Sequence, residues 1–399
     1  MSGHREHVAP VGGPIWTPTF KILTAFFILS MLLVAWRFAV GIGPASALND
    51  GYPWGAWKVV NVVVLTALGS GGYAMALLVY VLNRGHYHPL VRTAILTSAL
   101  GYTTGVVALG VDIGRPWNFW RIAIISEWNI HSVLLEIAVC ISIYLVFLWI
   151  EMSMPMLEHW KKQPHGLLKE ISIRATPVLE KWFPWIVASA LLLPTMHQSS
   201  LGSLFLLAGP RLHELWLTPF LPLLFLVSCY FLGYAAVVIV SMLSSVIYQR
   251  PLEFAMLRRL SRTMAYILIS FLVLRWVDVA VRGHLLAALA FDRFSMFFLL
   301  ETGLLLGSAL GLLSRRYGQR PDSVFRLAML IVLGGSVYRL GASLVGFMPG
   351  DNWAYFPSIP EMVISLGFVA LAVMGYIVMV KRFPILTAHP EPVRIANDH

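Results

Sequence analysis

Charged residues and cysteines are both scarce in this sequence of 399 residues. Asp, Glu, Lys and Arg together make up only 12% of the chain, whereas soluble proteins carry about a quarter. Hydrophobic residues make up 58%, and the mean hydropathy is +0.76. Because so little charge is available to cover a water-facing surface, the composition excludes an ordinary soluble protein and predicts an integral membrane protein.

The cysteines exclude several classes of metal site. Only Cys140 and Cys229 are present, and both lie in apolar segments. Two cysteines are too few for a disulfide framework, an iron–sulfur cluster or a cysteine-ligated zinc site. We therefore expect no Fe–S cluster and no metal ligands in this chain.

Apolar segments predict ten membrane-spanning helices in an all-α bundle with no strands. A span needs roughly 20 mostly apolar residues. The candidates lie at about 20–41, 57–82, 89–109, 131–154, 183–207, 220–248, 262–281, 294–313, 325–347 and 361–380. They predict three parts: an N-terminal tail (1–19), a transmembrane domain (20–383) and a C-terminal tail (384–399).

The net charge of +10 is interpreted as a signal of topology. Most Lys and Arg residues lie in the two tails and the even-numbered loops, and few lie in the odd-numbered loops. By the positive-inside rule, both termini are predicted to be cytoplasmic. No nucleic-acid partner is expected.

The predicted outer loops are rich in Trp, Tyr, Pro, Gly and Asp. The loop 110–120 reads GVDIGRPWNFW, and the loop 350–361 reads GDNWAYFPSIPE. An aromatic belt at the membrane interface would explain any single Trp. Two aromatic loops that also bear carboxylates favour a docking surface for an external partner.

A first group of polar residues lies in the outer halves of the spans, where ionisable side chains are costly and are functional candidates. Tyr102, Glu136 and His197 are predicted to place a phenol, a carboxylate and an imidazole at similar depth on three helices. Pro194 is predicted to break the fifth helix and to free carbonyl groups there. The other candidates near the same outer ends are Asp112, Arg115, Trp117, Asn129, His131 and Gln198.

This set suits two-electron, two-proton exchange with a quinone. A quinone head needs hydrogen-bond donors at its carbonyl oxygens and groups that deliver or accept protons. Glu136, Asp112 and Tyr102 are therefore predicted to be catalytic. The predicted quinone-binding residues are His197, Asn129, His131, Gln198, Trp117 and Arg115. The alternative is that some of these side chains, such as Tyr102 and Asn129, only bond neighbouring helices.

A second group of polar residues lies in the later spans and consists of Arg275, Asp278, Glu301 and Arg339. Two cations and two anions sum to zero, which favours a structural network of ion pairs between helices. A proton path is the alternative. Arg275 and Asp278 are three residues apart on one helix face and are predicted to pair directly.

Several strings in the sequence resemble the NrfD/PsrC family of membrane subunits. Within that family the resemblance is to the HybB-type subunit of periplasmic nickel-iron hydrogenases, and the DsrP type is also similar. The resemblance covers nearly the whole chain in order. The strings are PWGAW (53–57), LNRGHYHPLVR (82–92), DIGRPWN (112–118), SVLLEIAVC (132–140), LLPTMHQSSLGSL (192–204) and AYFPSIPEMVISLGF (354–368).

The resemblance implies a multi-pass subunit of a bacterial inner membrane that exchanges electrons with menaquinone or ubiquinone. Its implied partners on the periplasmic face are a ferredoxin-like Fe–S subunit and catalytic subunits, in a hydrogen-oxidising hydrogenase. It implies proton transfer by Glu136 and an outer quinone pocket at or near Tyr102, Asp112, Asn129 and His197. No haem is expected.

Three alternatives stay open. The partner enzyme could be of the DsrP type or a molybdoenzyme, with quinone either oxidised or reduced. A secondary transporter would also have ten spans and buried charges, although the two halves show no internal repeat. A cytochrome b would need paired histidines, and only His131 with His197 could hold one haem.

Overall fold

The computed structural model describes residues 8–52 and 54–388. Residues 1–7 and 389–399 of the predicted tails lie outside the described residues. Over the described part, the chain forms helices, with two isolated β-bridges and no strand. The ten long helices are α1 (Pro18–Val40), α2 (Ala56–Val81), α3 (Gly85–Asp112), α4 (Val133–Lys161), α5 (Leu167–Leu206), α6 (Leu221–Tyr248), α7 (Phe254–Val281), α8 (Arg293–Leu313), α9 (Pro321–Val345) and α10 (Ile359–Arg382).

These helices confirm the predicted fold class, an all-α integral membrane bundle. Of the helices described, nine are long and apolar enough to cross a membrane. The remaining long helix, α5, contains the predicted fifth span and is the longest, with 40 residues. Its apolar run is interrupted near one end by Thr195, His197 and Gln198. The polar side chains that lower its hydropathy are thus the ones that make it a candidate for function.

Both described chain ends lie on one face of the bundle, which we call the tail face. Val11 N donates to Val380 O at 2.9 Å, and Val8 pairs with Thr387 in a β-bridge. On the same face, Arg250, which follows α6, donates to Pro10 O at 3.0 Å. The end of α4 reaches this face too, because Arg92 and Glu158 form a salt bridge at 2.9 Å, and Arg92 also donates to Pro384 O.

The opposite face, which we call the loop face, gathers the odd-numbered connections. Asn49 Nδ2 donates to Ala354 O at 3.0 Å. The segment after α5 is held there as well, since His213 N donates to Gly346 O at 2.7 Å. Because α5 starts beside the tail-face end of α4 and ends at the loop face, it crosses the bundle. The loops between successive helices therefore alternate between the two faces, as a bundle of ten crossing helices requires. The cytoplasmic placement of the tail face stays a prediction.

The predicted break at Pro194 is wrong. The helix α5 continues through Pro177, Pro184 and Pro194 without interruption. Each proline removes only one backbone donor, and neighbouring helices and hydroxyl side chains let a membrane helix tolerate that loss. Irregular backbone occurs instead as π-helical turns in α2 (Val59–Val64) and α9 (Gly341–Val345). Such turns are frequent at functional sites.

The centre of the bundle is the crossing of α2 and α6. In the most apolar stretch of each helix, 83% of the residues are buried in α2 and 67% in α6, but only 11% in α1. Two glycines set the α2–α6 spacing. A Cβ atom on Gly233 would lie 2.8 Å from Gly71 N and 2.9 Å from Ser70 C, which are backbone atoms that cannot rotate away.

We expect Gly233→Ala to destabilise the protein, because the added methyl group forces two central helices apart. Overpacking of this kind costs about 1–3 kcal/mol. The matched control is Gly303→Ala on α8, where an added Cβ meets nothing within 4 Å. The measurement is the thermal unfolding midpoint of the detergent-solubilised protein. Equal midpoints for the two variants would contradict the proposed close crossing.

Candidate functional site

Arg339 on α9 is fully buried and holds together four helices near the loop face. Its guanidinium donates to Val63 O (2.7 Å), Phe225 O (2.8 Å), Ser228 Oγ (2.9 Å) and Gln198 Oε1 (2.9 Å). Over the described residues, no carboxylate lies within ion-pairing distance of it. Its positive charge is therefore solvated by neutral oxygen atoms.

The π-helical turn of α2 explains how Val63 reaches Arg339. In the π-helical stretch the regular ladder of α-helical hydrogen bonds is replaced by a wider one, which reorients the carbonyl groups. Phe225 also contributes its ring, whose centroid lies 4.8 Å from the guanidinium carbon. A cation in this position is stabilised by the negative face of the ring.

Gln198 connects Arg339 to Tyr102. Its Nε2 atom donates to Tyr102 Oη at 3.3 Å and to Thr66 Oγ1 at 3.2 Å. Tyr102 is fully buried, and the edge of its ring meets Tyr144 with the centroids 4.8 Å apart. Two predicted site residues, Tyr102 and Gln198, are thus in direct contact.

His197 lies beside this connection with an unsatisfied imidazole. The side chain is fully buried, and its ring lies 5.9 Å from that of Tyr102, centroid to centroid. In the part of the chain that the structure describes, neither Nδ1 nor Nε2 has a hydrogen-bond partner. A buried polar group without a partner costs about 1–3 kcal/mol. The imidazole is therefore suited to bond a polar group of a bound molecule.

Glu136 lies at the rim of this enclosed group. Ser200, one turn after His197 on α5, donates its hydroxyl hydrogen to Glu136 Oε1 at 2.7 Å. The carboxyl belongs to the first turn of α4, and the residue is exposed. A negative charge is favoured at a helix N-terminus. The polar series thus runs from an enclosed interior at Arg339 to an accessible carboxyl at Glu136.

We use the name "enclosed site" for this series of Arg339, Gln198, Tyr102, His197, Ser200 and Glu136.

Asp112 belongs to a different cluster. It is 3% exposed and lies 3.8 Å from Lys58 Nζ, and Arg37 bonds the neighbouring carbonyl of Ile113 at 2.7 Å. Tyr102 is ten residues earlier on the same helix, about 15 Å away at 1.5 Å per residue. No contact among the described residues joins Asp112 to the enclosed site, so the structure does not bring it together with Tyr102 and Glu136.

The other predicted residues lie on the exposed loop face. Arg115, Asn129 and His131 are exposed, and Trp117 is 64% exposed. The helix α4 begins only at Val133, so the segment before it forms 3-10 turns outside the bundle. Asn129 Oδ1 accepts a local hydrogen bond from His131 N at 3.1 Å. The sequence predicted Asn129 and His131 at the outer start of the fourth span, and the structure begins that helix two residues after His131, at Val133.

The second group separates into distinct pairs. Arg275 bonds Glu301 on α8 at 3.0 Å, with both side chains almost fully buried. Asp278 instead bonds Arg282 at 2.8 Å and accepts from Thr218 at 2.8 Å. The predicted pairing of Arg275 with Asp278 is wrong, because each finds a better-placed partner outside its own turn. Arg339, also assigned to this group, belongs to the enclosed site.

Two buried carboxyl groups were missed by the sequence reading. Glu361 lies in the first turn of α10 and is fully buried, accepting from Ala47 N at 2.7 Å and from Tyr355 Oη at 2.5 Å. Burial is the main reason that the pKa of Tyr355 is raised. Glu151 on α4 is 8% exposed. A lone carboxylate inside the apolar run LWIEM was the available signal for Glu151.

A haem with two axial imidazoles requires two histidines that face each other inside the bundle. Among the described histidines, His197 is the one fully buried in the bundle, whereas His131 is exposed. His213 is half-buried on the loop face and stacks on Phe294 at 4.1 Å. The pKa of His213 is lowered, and burial is the largest cause. These side chains do not form an enclosed facing pair, so they do not fit a bis-histidine haem.

Comparisons with known proteins give a consistent picture. The family described as polysulphide reductase, NrfD, matches residues 45–341. The chain is 36% identical over 395 residues to the probable Ni/Fe-hydrogenase 2 b-type cytochrome subunit of Escherichia coli, covering 98% of this chain and 96% of that one. It is 25% identical over 385 residues to the menaquinone reductase integral membrane subunit of Nitratidesulfovibrio vulgaris, covering 90% of each.

A shorter similarity involves a third oxidoreductase. Over 110 residues the chain is 24% identical to a subunit of the selenate reductase of Mesobacillus selenatarsenatis, which covers 28% of this chain and 25% of that one. These relatives are named for different substrates. The comparisons therefore indicate a shared type of membrane subunit and do not indicate one particular reaction.

We expect Arg275→Leu to lower the stability of the folded subunit, because it strands the buried carboxylate of Glu301. Removing one partner of a buried ion pair costs about 3–5 kcal/mol. The double variant Arg275→Leu/Glu301→Leu should regain most of that loss. The control is Arg326→Leu, which removes an exposed pair with Asp322. The measurement is membrane accumulation together with the thermal unfolding midpoint. If the variant accumulates to wild-type levels but electron transfer is no longer coupled to proton transfer, the proton path is favoured instead.

Proposed function

The chain belongs to the polysulphide reductase NrfD family, as the resemblance in its sequence predicted, and from that premise we propose that it is the quinone-reactive membrane subunit of a respiratory oxidoreductase. It passes electrons between an Fe–S partner subunit and the quinone pool. The proposed complex is a hydrogen-oxidising nickel-iron hydrogenase, because the E. coli relative is named as a hydrogenase subunit and matches over nearly the full length.

The observation that carries this proposal is the enclosed site. A quinone head has two carbonyl oxygens that need donors, and a quinol has two hydroxyls that need acceptors. The imidazole of His197 can donate from one ring nitrogen and accept at the other, and both are unpartnered among the described residues. The phenol of Tyr102 lies beside it. The menaquinone reductase relative supports a quinone as the bound substrate.

Proton exchange is assigned to Glu136. The conversion of a quinone to a quinol consumes two electrons and two protons, so a proton-carrying group must reach the site. Glu136 is exposed at the rim and is bonded through Ser200 to the helix that bears His197. A carboxyl there can exchange protons with water at one side and with the site at the other.

The Fe–S partner and the catalytic subunits are proposed to dock on the loop face, which the charge distribution predicts to be periplasmic. Large apolar side chains are exposed there on the segment before α4 and on the loop before α10. Trp117 is 64% exposed, Trp120 is 59% exposed and Phe356 is 78% exposed. Exposed aromatic side chains are typical anchors of protein interfaces.

A second candidate, a b-type cytochrome, is supported by the printed name of the E. coli relative. Against it stands the arrangement of the described histidines, which offers one enclosed imidazole. We therefore keep the prediction that the protein binds no haem. Other partner enzymes, including DsrP-type complexes and molybdoenzymes, remain alternatives to the hydrogenase.

We expect Glu136→Gln to abolish quinone-linked turnover of the purified complex, because the amide keeps the hydrogen bond from Ser200 but carries no exchangeable carboxyl proton. Loss of a general acid or base costs about 10²–10⁴-fold in rate. Assembly of the complex and its activity with an artificial dye should be unchanged. The matched control is Glu170→Gln, an exposed carboxyl in the first turn of α5 on the tail face, away from the proposed docking surface. Normal quinone turnover in Glu136→Gln would remove this residue from the proton path.

The haem alternative is decided by the reduced-minus-oxidised absorption spectrum of the purified protein. We expect no haem α band, because the described residues supply no enclosed pair of imidazoles. A clear α band that disappears in His197→Ala would establish a haem ligand and would contradict the haem-free assignment.

A further inference from the structure

We propose that Arg339 is a positioning residue that acts through Gln198 to direct the hydroxyl hydrogen of Tyr102 into the quinone site. This inference rests on the proposed quinone function and deepens it. It assigns a role to Arg339, which lacks a carboxylate partner in the described structure. It also assigns a role to the amide of Gln198, which would otherwise only connect helices.

The first step is the orientation of the Gln198 amide. An amide has one end that accepts and one end that donates, and a guanidinium can only donate. Arg339 therefore requires the oxygen of Gln198 to face it, at 2.9 Å. The amide nitrogen is then turned towards Thr66 and Tyr102 and donates to both. The charge on Arg339 thus decides which way the amide points.

The second step concerns the two hydroxyl groups around Tyr102, whose own hydrogens are already used. Thr66 donates its hydroxyl hydrogen to Val62 O at 2.5 Å, so its oxygen accepts from Gln198. Ser70 donates its hydrogen to Thr66 O at 2.9 Å. The contact between Ser70 Oγ and Tyr102 Oη is long, at 3.5 Å. Because the Ser70 hydrogen is used elsewhere, Ser70 Oγ is the acceptor in this contact, and at 3.5 Å it holds the Tyr102 hydrogen only weakly.

The consequence is a fixed role for the Tyr102 hydroxyl. Its oxygen accepts a hydrogen bond from Gln198, so its own hydrogen is left to donate to another acceptor. The polar side chain beside it is His197, whose ring lies edge-on to that of Tyr102 with the centroids 5.9 Å apart and whose nitrogens have no partner among the described residues. Tyr102 is thereby set as a donor to a quinone oxygen.

The chemistry balances as follows. The quinone takes two electrons from the Fe–S partner subunit and two protons. One proton leaves Tyr102 Oη and the other is supplied from water through Glu136, so that an O–H bond forms on each quinone oxygen. The phenolate that is left keeps its hydrogen bond from Gln198 and lies near the positive charge of Arg339 until a proton that enters from water through Glu136 restores the phenol. A preorganised donor and charge of this kind stabilise developing negative charge. Quinol oxidation is the reverse.

The test uses Gln198→Glu in the purified complex. Glutamate has nearly the same shape and would accept from Arg339 as an ion pair, but as a carboxylate it cannot donate to Tyr102. Electron transfer is measured between a short-chain naphthoquinol and an artificial dye that reacts with the partner subunits. We expect kcat to fall by at least about tenfold, with little change in KM, in quinol binding followed by fluorescence, or in the unfolding midpoint.

A double-variant cycle separates positioning from a structural role. Tyr102→Phe alone should lower kcat, and adding Gln198→Glu to Tyr102→Phe should lower it no further, because both changes remove the same proton donation. The control is Gln163→Glu in the turn between α4 and α5, which should leave kcat unchanged.

Three results would overturn the proposal, and they are distinguishable. If the wild-type complex transfers no electrons to or from the naphthoquinone, the proposed function itself fails, and this inference fails with it. If the wild-type complex is active but the two substitutions lower kcat independently, the quinone function stands and Gln198 does not act through Tyr102. A fall in the unfolding midpoint that accounts for the lost activity would likewise reduce Arg339 and Gln198 to structural residues.

Discussion

The enclosed site depends on how the buried guanidinium of Arg339 is accommodated. A charge in a low-dielectric interior must be paired or surrounded by dipoles. Here the oxygen atoms of Val63, Gln198, Phe225 and Ser228 provide those dipoles. Because they come from α2, α5 and α6, the charge fixes the relative positions of these helices and α9. The π-helical turn in α2 and the glycine contact between α2 and α6 are the local adjustments that allow this approach.

Arg275 shows the contrasting solution. It is equally buried, but Glu301 neutralises it, and three aromatic rings surround its guanidinium. A neutralised pair has little field left to act on a bound molecule, whereas a cation solvated by dipoles still favours nearby negative charge. The same residue type is therefore structural in one half of the bundle and suited to chemistry in the other. Composition alone cannot make this distinction, since it depends on which carboxylates reach which cation.

The sequence was sufficient for the fold and for part of the site. Hydropathy and charge distribution predicted the spans and the alternation of faces, because both are properties of single segments. The rule that polar residues are rare in lipid identified Tyr102, Glu136, His197 and Gln198. The same rule does not give the contacts of Asp112 and Asn129, since the structure places Asp112 beside Lys58 and leaves Asn129 exposed. The link between Arg339 and Gln198 joins positions 141 residues apart, and no local pattern encodes it.

The division between interior and rim has a physical reason. Tyr102, the proposed proton donor, is shielded from water, which strengthens its hydrogen bonds and fixes their direction. A group that exchanges protons with the medium must be wet, and Glu136 is exposed. One residue cannot meet both requirements, so two residues at different depths are needed, with His197 and Ser200 between them on one helix. The polar interruption of α5, which lowers the hydropathy of that helix, places these intermediate groups between the buried Tyr102 and the exposed Glu136.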